Sequence, residues 1–215
     1  MVRADALRNR EAVVAAAREV FAEQGLEAPL EVIARRAGVG IGTLYRRFPT
    51  RLDLADAVLA SSVESMVAAA QAALAIADPW EGFVFYLERT GRLQAADRSF
   101  NDMMSMRLPR ATKAEAAKKQ MYELTKSIMA RAQASGQLRA DVTNEDLAFL
   151  AWANTRIMQA TEEISPDAWR RHLGLLLDGF RVEGATALPV APLSPREVYR
   201  AMRSLGSRCG GQSDN

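Results

Sequence analysis

LEVIARRAGVGIGTLYRRFPTRL, residues 30–52, decides the reading of the chain. Its apolar spacing predicts two short helices, Leu30 to Ala37 and Ile41 to Phe48, broken at Gly38-Val39-Gly40. The break needs glycine, because a side chain would clash where the chain swings sharply. Two short helices joined in this way have the proportions of a helix-turn-helix. Ala34, Val39 and Leu44, with Val32 and Ile33, would form the small core between them. That leaves Ile41, Gly42, Thr43, Tyr45, Arg46 and Arg47 around the front of the second helix. In such motifs the front meets base edges and its flanks meet phosphates. Gly40 and Gly42 would let backbone N–H groups approach a phosphate at the helix N-terminus.

Charge points the same way once it is divided along the chain. Residues 1–55 hold nine Arg against seven Asp or Glu, while the remaining 160 hold 19 of each sign. From Val32 to Leu52 there are five arginines (Arg35, Arg36, Arg46, Arg47 and Arg51) and no acid. A basic stripe at one end of a near-neutral chain suits a polyanion bound there. Arg35 and Arg36 are expected to face solvent or to pair with Glu31. Arg3, Arg8 and Arg10 read either as a backbone-binding arm or as a solvated terminus.

Composition narrows the classes. With 49% hydrophobic and 25% charged residues, the chain reads as an ordinary globular protein. No apolar run approaches the roughly 20 residues that span a bilayer, and the start MVRADALRNREAVV becomes charged too early for a secretory signal. A cytoplasmic protein without a membrane partner is expected. A single cysteine, Cys209, allows no internal disulfide, and with the single His172 it cannot build a zinc site. No metal or cofactor is expected. No nucleophile-base pair or phosphate loop is evident, so an enzyme acting on an apolar substrate is a weak competitor.

Outward from the motif, nearly every segment has helical periodicity. A helix over about 4–24 precedes it and stops at Gly25. Beyond it, Thr50 with Asp53, Asp78 with Glu81, Ser99 with Asp102, Thr143 with Asp146, Ser165-Pro166 and Ser194 with Glu197 mark helix starts. They divide the remainder into helices near 51–76, 79–96, 99–107, 111–135, 143–163, 166–184 and 194–205. The expected architecture is all-α, of roughly ten helices. Residues 1–50 would form an N-terminal three-helix DNA-binding domain with the helix-turn-helix. Residues 51–205 would form a larger helical domain, and 206–215 a disordered tail.

REAVVAAAREVFAEQGLEAPLEVIARRAGVGIGTLYRRFPTRLDLADAV resembles the DNA-binding module of TetR-family transcriptional regulators. The elements in register are the AA-x-x-x-F of the first helix, the Gly25 stop, IA-x-x-AGV, G-T-L-Y, Phe48-Pro49, and a basic residue before Leu-x-x-Ala. The resemblance implies that Thr43 and Tyr45 hold phosphates and that Arg46 reaches a phosphate or a base edge. Arg51 would lie against the DNA backbone, with Ile41 and Gly42 facing the major groove. The chain departs from the family where Ala28-Pro29 and Gly40 replace the usual Ser or Thr caps, and where Arg51 replaces the usual Lys. With Ile41 and Gly42 at the tip, readout would lean on Arg46, thymine methyls and DNA shape. The stretch from Phe100 through Trp152 is similar to a TetR subgroup common in high-GC actinobacteria.

The same resemblance implies a ligand cavity in the helical domain, a homodimer built on the last two long helices, and a palindromic operator in double-stranded DNA. For the pocket the sequence offers Trp80, Phe83 and Leu87, then Met103 and Met104, then Met121 and Leu124. Methionine suits a compliant cavity, although such a stripe also serves as plain core. Asn154 and Met158 complete the candidates; an amide on an apolar stripe must bond either a ligand or neighbouring backbone. For the dimer face, Phe149, Trp152 and Ala153 form a second stripe on one helix. Leu175, Leu176, Gly179 and Phe180 widen the apolar arc of the next, where Gly174 and Gly179 could permit close helix approach. The expected function is a repressor released from its operator by a small apolar or amphipathic ligand of unknown identity. The alternatives are a regulator without such a ligand and an activator.

Overall fold

The computed structural model describes residues 2–96 and 113–209. Among these residues the architecture is all-α, as expected. The helices are α1 (Val2–Gln24), α2 (Leu30–Arg36), α3 (Ile41–Arg47), α4 (Arg51–Ala75), α5 (Pro79–Ala96), α6 (Lys113–Ala134), α7 (Asn144–Thr161), α8 (Ala168–Phe180) and α9 (Pro195–Cys209). The expected helix over 99–107 lies outside the described residues.

Four of the helices, α4, α5, α7 and α9, begin where a side chain satisfies free N–H groups of the first turn. Thr50 and Asp53 bond reciprocally: Asp53 Oδ2 accepts the Thr50 N–H at 2.9 Å and Thr50 Oγ1 accepts the Asp53 N–H at 3.1 Å. Asp78 Oδ1 accepts from the N–H groups of Trp80 and Glu81 at 2.8 and 3.0 Å. Asp146 accepts from Thr143 at 2.7 Å, and Glu197 from Ser194 at 2.8 Å. Gly25 and Gly38 take φ of +78° and +67°, a left-handed conformation that costs a side chain dearly and lets α1 and α2 stop abruptly.

Three expectations are corrected. The helix over 166–184 is shorter, beginning at Ala168 with no side-chain cap and ending at Phe180. It ends because the chain pairs with residues 137–139 instead. The Arg139 N–H donates to the Phe180 carbonyl at 3.0 Å and the Val182 N–H to the Gln137 carbonyl at 3.1 Å, forming an isolated bridge between Leu138 and Arg181. The last helix runs through Cys209, past the expected stop at 205, since a lone Gly206 costs a helix only about 1 kcal/mol; residues 210–215 lie outside the described residues. Finally, α4 is by length and composition apolar enough to cross a bilayer, yet 61% of its most apolar window is buried inside the fold. Its alanine-rich sequence serves as a core helix here.

Packing divides the chain into two units, residues 1–64 with 97–118 and residues 65–96 with 119–215. In unit one, Val13, Val20 and Phe21 of α1, Ile33 of α2, Leu44 of α3 and Leu54 and Val58 of α4 are fully buried. In unit two, one cluster joins Phe83 and Leu87 of α5, Ile128 of α6, Leu150 of α7, and Trp169 and Leu173 of α8. In this unit α8 packs on α5 and on α7, and α9 lies against α7.

Candidate nucleic-acid interface and helical-domain interior

In unit one, α3 is pinned by a single buried residue, Leu44, which turns the rest of the helix outward. Ile41, Gly42, Tyr45 and Arg46 are exposed, while Thr43 and Arg47 are half-buried. Tyr45 is 46% exposed and is therefore not a core aromatic. Phe48 is one, buried beneath the Arg10 guanidinium, 5.6 Å from its ring centroid. Gly40 and Gly42 have no positive φ, and a Cβ at either would meet nothing within 4 Å. Neither backbone strain nor packing within the chain calls for glycine at these two places.

The arginines separate into two groups. Arg46 and Arg35 lie exposed. Arg36 pairs with α1, 2.6 Å from Glu23 and 3.8 Å from Glu19, and not with Glu31. The Arg36 hydrogen bond holds the Glu23 carboxyl below its ordinary range. Arg51, expected against DNA, turns inward. Its Nη1 donates to the Leu26 carbonyl at 2.7 Å and to the Ala28 carbonyl at 2.5 Å, and its Nε lies 4.0 Å from Glu27. It holds the turn between α1 and α2 from the first residue of α4. Arg47 keeps its Nε shielded and unbonded.

In unit two, the pocket candidates Trp80, Phe83 and Leu87 are buried in the core cluster, and Leu124 and Met158 are partly buried against it. Met121 is half-buried; Met103 and Met104 lie outside the described residues. Trp80 stacks at a tilt on Phe83, 5.7 Å between centroids, and the Arg181 guanidinium covers it at 4.3 Å. Asn154, only 2% exposed, meets a side chain, not backbone: its Oδ1 accepts from His172 Nδ1 at 2.9 Å. This places the proton on Nδ1 when the imidazole is neutral. Tyr86 Oη meets Thr125 Oγ1 at 2.7 Å, and burial pushes the Tyr86 phenol up from its usual value.

The expected dimer residues divide between inside and outside. Phe180 and Leu176 pack partly on the unit's own core, Phe180 edge-on to Phe83 at 6.1 Å. Leu175 at 64% and Phe149 at 42% exposure face out, Phe149 edge-to-face with half-buried Trp152 at 5.5 Å. Ala153 is half-buried and Gly179 exposed. Gly174 and Gly179 face open space, whereas the close approaches occur at Gly82 and Gly91 of α5. Sequence reasoning passed over Gly91, Trp169 as a polar group, and His172 as a hydrogen-bonding partner. No local pattern marks which distant residue a side chain will meet.

An exposed helix carrying Arg46 and Arg47, second of a helix-turn-helix on a small three-helix module and chained to a larger helical unit, is the architecture of a helix-turn-helix transcriptional regulator. Residues 13–58 match the bacterial regulatory proteins, tetR family, and residues 78–182 match the SbtR-like transcriptional regulator C-terminal domain. A TetR transcription regulatory protein of known structure from Mycobacterium vanbaalenii is 34% identical. The match covers 85% of this chain and all of that one, with a TM-score of 0.59. TetR transcriptional regulator SCO0520 from Streptomyces coelicolor is 32% identical, over 83% of this chain and 99% of that one, with a TM-score of 0.58. An uncharacterized HTH-type transcriptional regulator, TtgW, from Pseudomonas putida is 39% identical over 82 residues, 38% of this chain and 61% of that protein. The match thus spans less than two thirds of that relative. The chain belongs to the TetR family of transcriptional regulators, which are DNA-binding proteins and not enzymes.

Proposed function

We propose that this regulator is a cytoplasmic homodimeric repressor that holds a palindromic operator through α3 and is released by a small apolar or amphipathic effector in its helical domain. The observation that carries the DNA assignment is Gly42. It is exposed on the outer face of α3 with nothing near its Cβ direction, so the helix backbone is open there to close approach from outside. A groove edge or sugar-phosphate backbone would use that opening. Ile41, Thr43, Tyr45, Arg46 and Arg47 surround it, with Gly40 at the helix start. Arg51 contributes by holding the α1–α2 turn, not by meeting phosphate.

Pairing rests on the outward apolar residues Phe149 and Leu175, with half-buried Trp152 beside Phe149; such residues are costly to leave in water and suit a two-fold partner. Two reading heads spaced by such a dimer match successive major grooves. An effector relieves repression only if it binds one spacing better than the other. The test is titration of the purified protein against its own promoter region at two salt concentrations. Tight, salt-sensitive protection of one palindrome is expected. Weak binding equal on all DNA would overturn the operator assignment.

A further inference from the structure

Inside unit two, buried polar side chains find one another. Tyr86 meets Thr125, Thr125 donates on to the Met121 carbonyl at 2.8 Å, and Asn154 meets His172. Trp169 Nε1 does not. Among the described residues of this unit it is the one side-chain nitrogen or oxygen shielded from solvent and left without a hydrogen bond, on a residue only 2% exposed. An orphaned donor of this kind forfeits its hydration without recompense. Phenylalanine or leucine would fill an apolar interior without that cost.

The indole cannot turn to find a partner. A Cβ at Gly91 would lie 2.3 Å from Cζ3, 2.9 Å from Cη2 and 3.0 Å from Cε3 of Trp169. The benzo edge therefore rests directly on the backbone of α5. Nε1 belongs to the five-membered ring, across the bicycle from Cε3 and Cζ3, so the N–H is held pointing away from Gly91. The neighbouring turns add Leu87 and Gln94 along the same face of α5 and Leu173 along α8, all buried. The result is a neutral donor on a buried ring, held in one orientation and directed away from the α5 backbone.

We infer that the Trp169 indole N–H is the hydrogen-bond donor of the effector site, and that the effector is a neutral apolar molecule carrying a carbonyl-type acceptor oxygen. This rests on the effector reading proposed above. A carboxylate is disfavoured, because one neutral N–H does not compensate the desolvation of a full charge. A plain hydrocarbon leaves the donor as orphaned as before. A ketone, ester or lactone oxygen satisfies it while the rest of the molecule buries apolar surface. The donor is already oriented, so little ordering is lost on binding.

The experiment uses the full-length wild-type dimer labelled with 15N in its tryptophan indoles and 13C in its Leu and Ile methyls. The three tryptophans give three indole resonances, and Trp80→Phe and Trp152→Phe identify those two, leaving Trp169 by elimination. Acetophenone and α-methylstyrene, which differ by C=O against C=CH2 in nearly the same shape, are titrated separately. If both move the Leu87 and Ile128 methyls but only acetophenone moves the Trp169 indole proton downfield, the assignment stands. If both move the methyls and neither moves that proton downfield, Trp169 is not the donor, while the cavity survives. If neither moves the methyls, the cavity itself fails and this inference fails with it.

Discussion

The benzo edge of Trp169 rests on Gly91 so closely that even a methyl group between them would collide, at 2.3 Å from Cζ3. Gly91 is thus the residue that lets α5 and α8 approach. Gly91→Ala must displace the large buried ring of Trp169 or part the two helices. Overpacking of this kind costs about 1–3 kcal/mol, outweighing the helix-propensity gain of about 1 kcal/mol. Urea unfolding of the two proteins measures the difference. Equal or greater stability in the variant would mean that the contact yields readily.

Gly42 offers the opposite combination. Its surroundings are open and its φ ordinary, so Gly42→Ala is expected to stabilise the fold by about 0.5–1 kcal/mol through helix propensity. Operator affinity is expected to fall, because the added methyl occupies the outer face of α3. Thermal melting and DNA titration on the same preparation separate the two effects. Unchanged affinity would place the DNA elsewhere.

Arg46 and Arg51 are expected to part company. Arg46→Ala, and Tyr45→Phe beside it, should weaken operator binding by about 1–3 kcal/mol with a native circular dichroism spectrum. If Arg46 meets a phosphate, the salt slope also flattens by about one unit. Arg51→Ala removes charge-assisted bonds to the Leu26 and Ala28 carbonyls and should lower stability by about 1–3 kcal/mol, leaving the salt slope intact. A flattened slope with unchanged stability for Arg51→Ala would return that residue to the phosphate backbone.

Pairing can be read from the outward residues alone. Replacing Phe149 and Leu175 together by Glu leaves the buried cluster untouched, since both side chains are exposed. Sedimentation is expected to show a folded monomer, and operator affinity should drop because one reading head must then bind alone. A dimer that persists would move the interface to another face.

Acid should destabilise the fold through its cap and ion-pair carboxylates. Bonds from the Glu81 and Trp80 N–H groups hold Asp78 below its ordinary value, the Arg139 bond does so for Asp141, and Ser194 for Glu197. Each has a lower pKa folded than unfolded, so its stabilisation is complete above the unfolded value near about 4. It is lost as pH falls through the lowered folded one. Melting temperature should decline below about pH 4. Asp78→Asn, which can still cap α5, should show a shallower decline; an unaltered curve would exclude Asp78 as a contributor.

By itself the sequence determined what depends on near neighbours. Capping pairs such as Thr50 with Asp53, the glycine stops at 25 and 38, and the 3.6-residue period of apolar positions act within a turn or two of backbone. They marked most helix boundaries and, with the spacing of the 30–52 motif, the helix-turn-helix and the exposed front of α3. The tertiary structure decided the partners. Nothing local says that Arg36 turns to α1, that Arg51 holds the preceding turn, that Asn154 finds His172, or that α8 stops at Phe180 to pair with 137–139. Nor does any local pattern say that Trp169 wedges on Gly91 with its N–H unmet. Each of these is a contact between residues distant in the chain, and a side chain's hydrogen-bonding fate is settled only when packing brings a second surface against it.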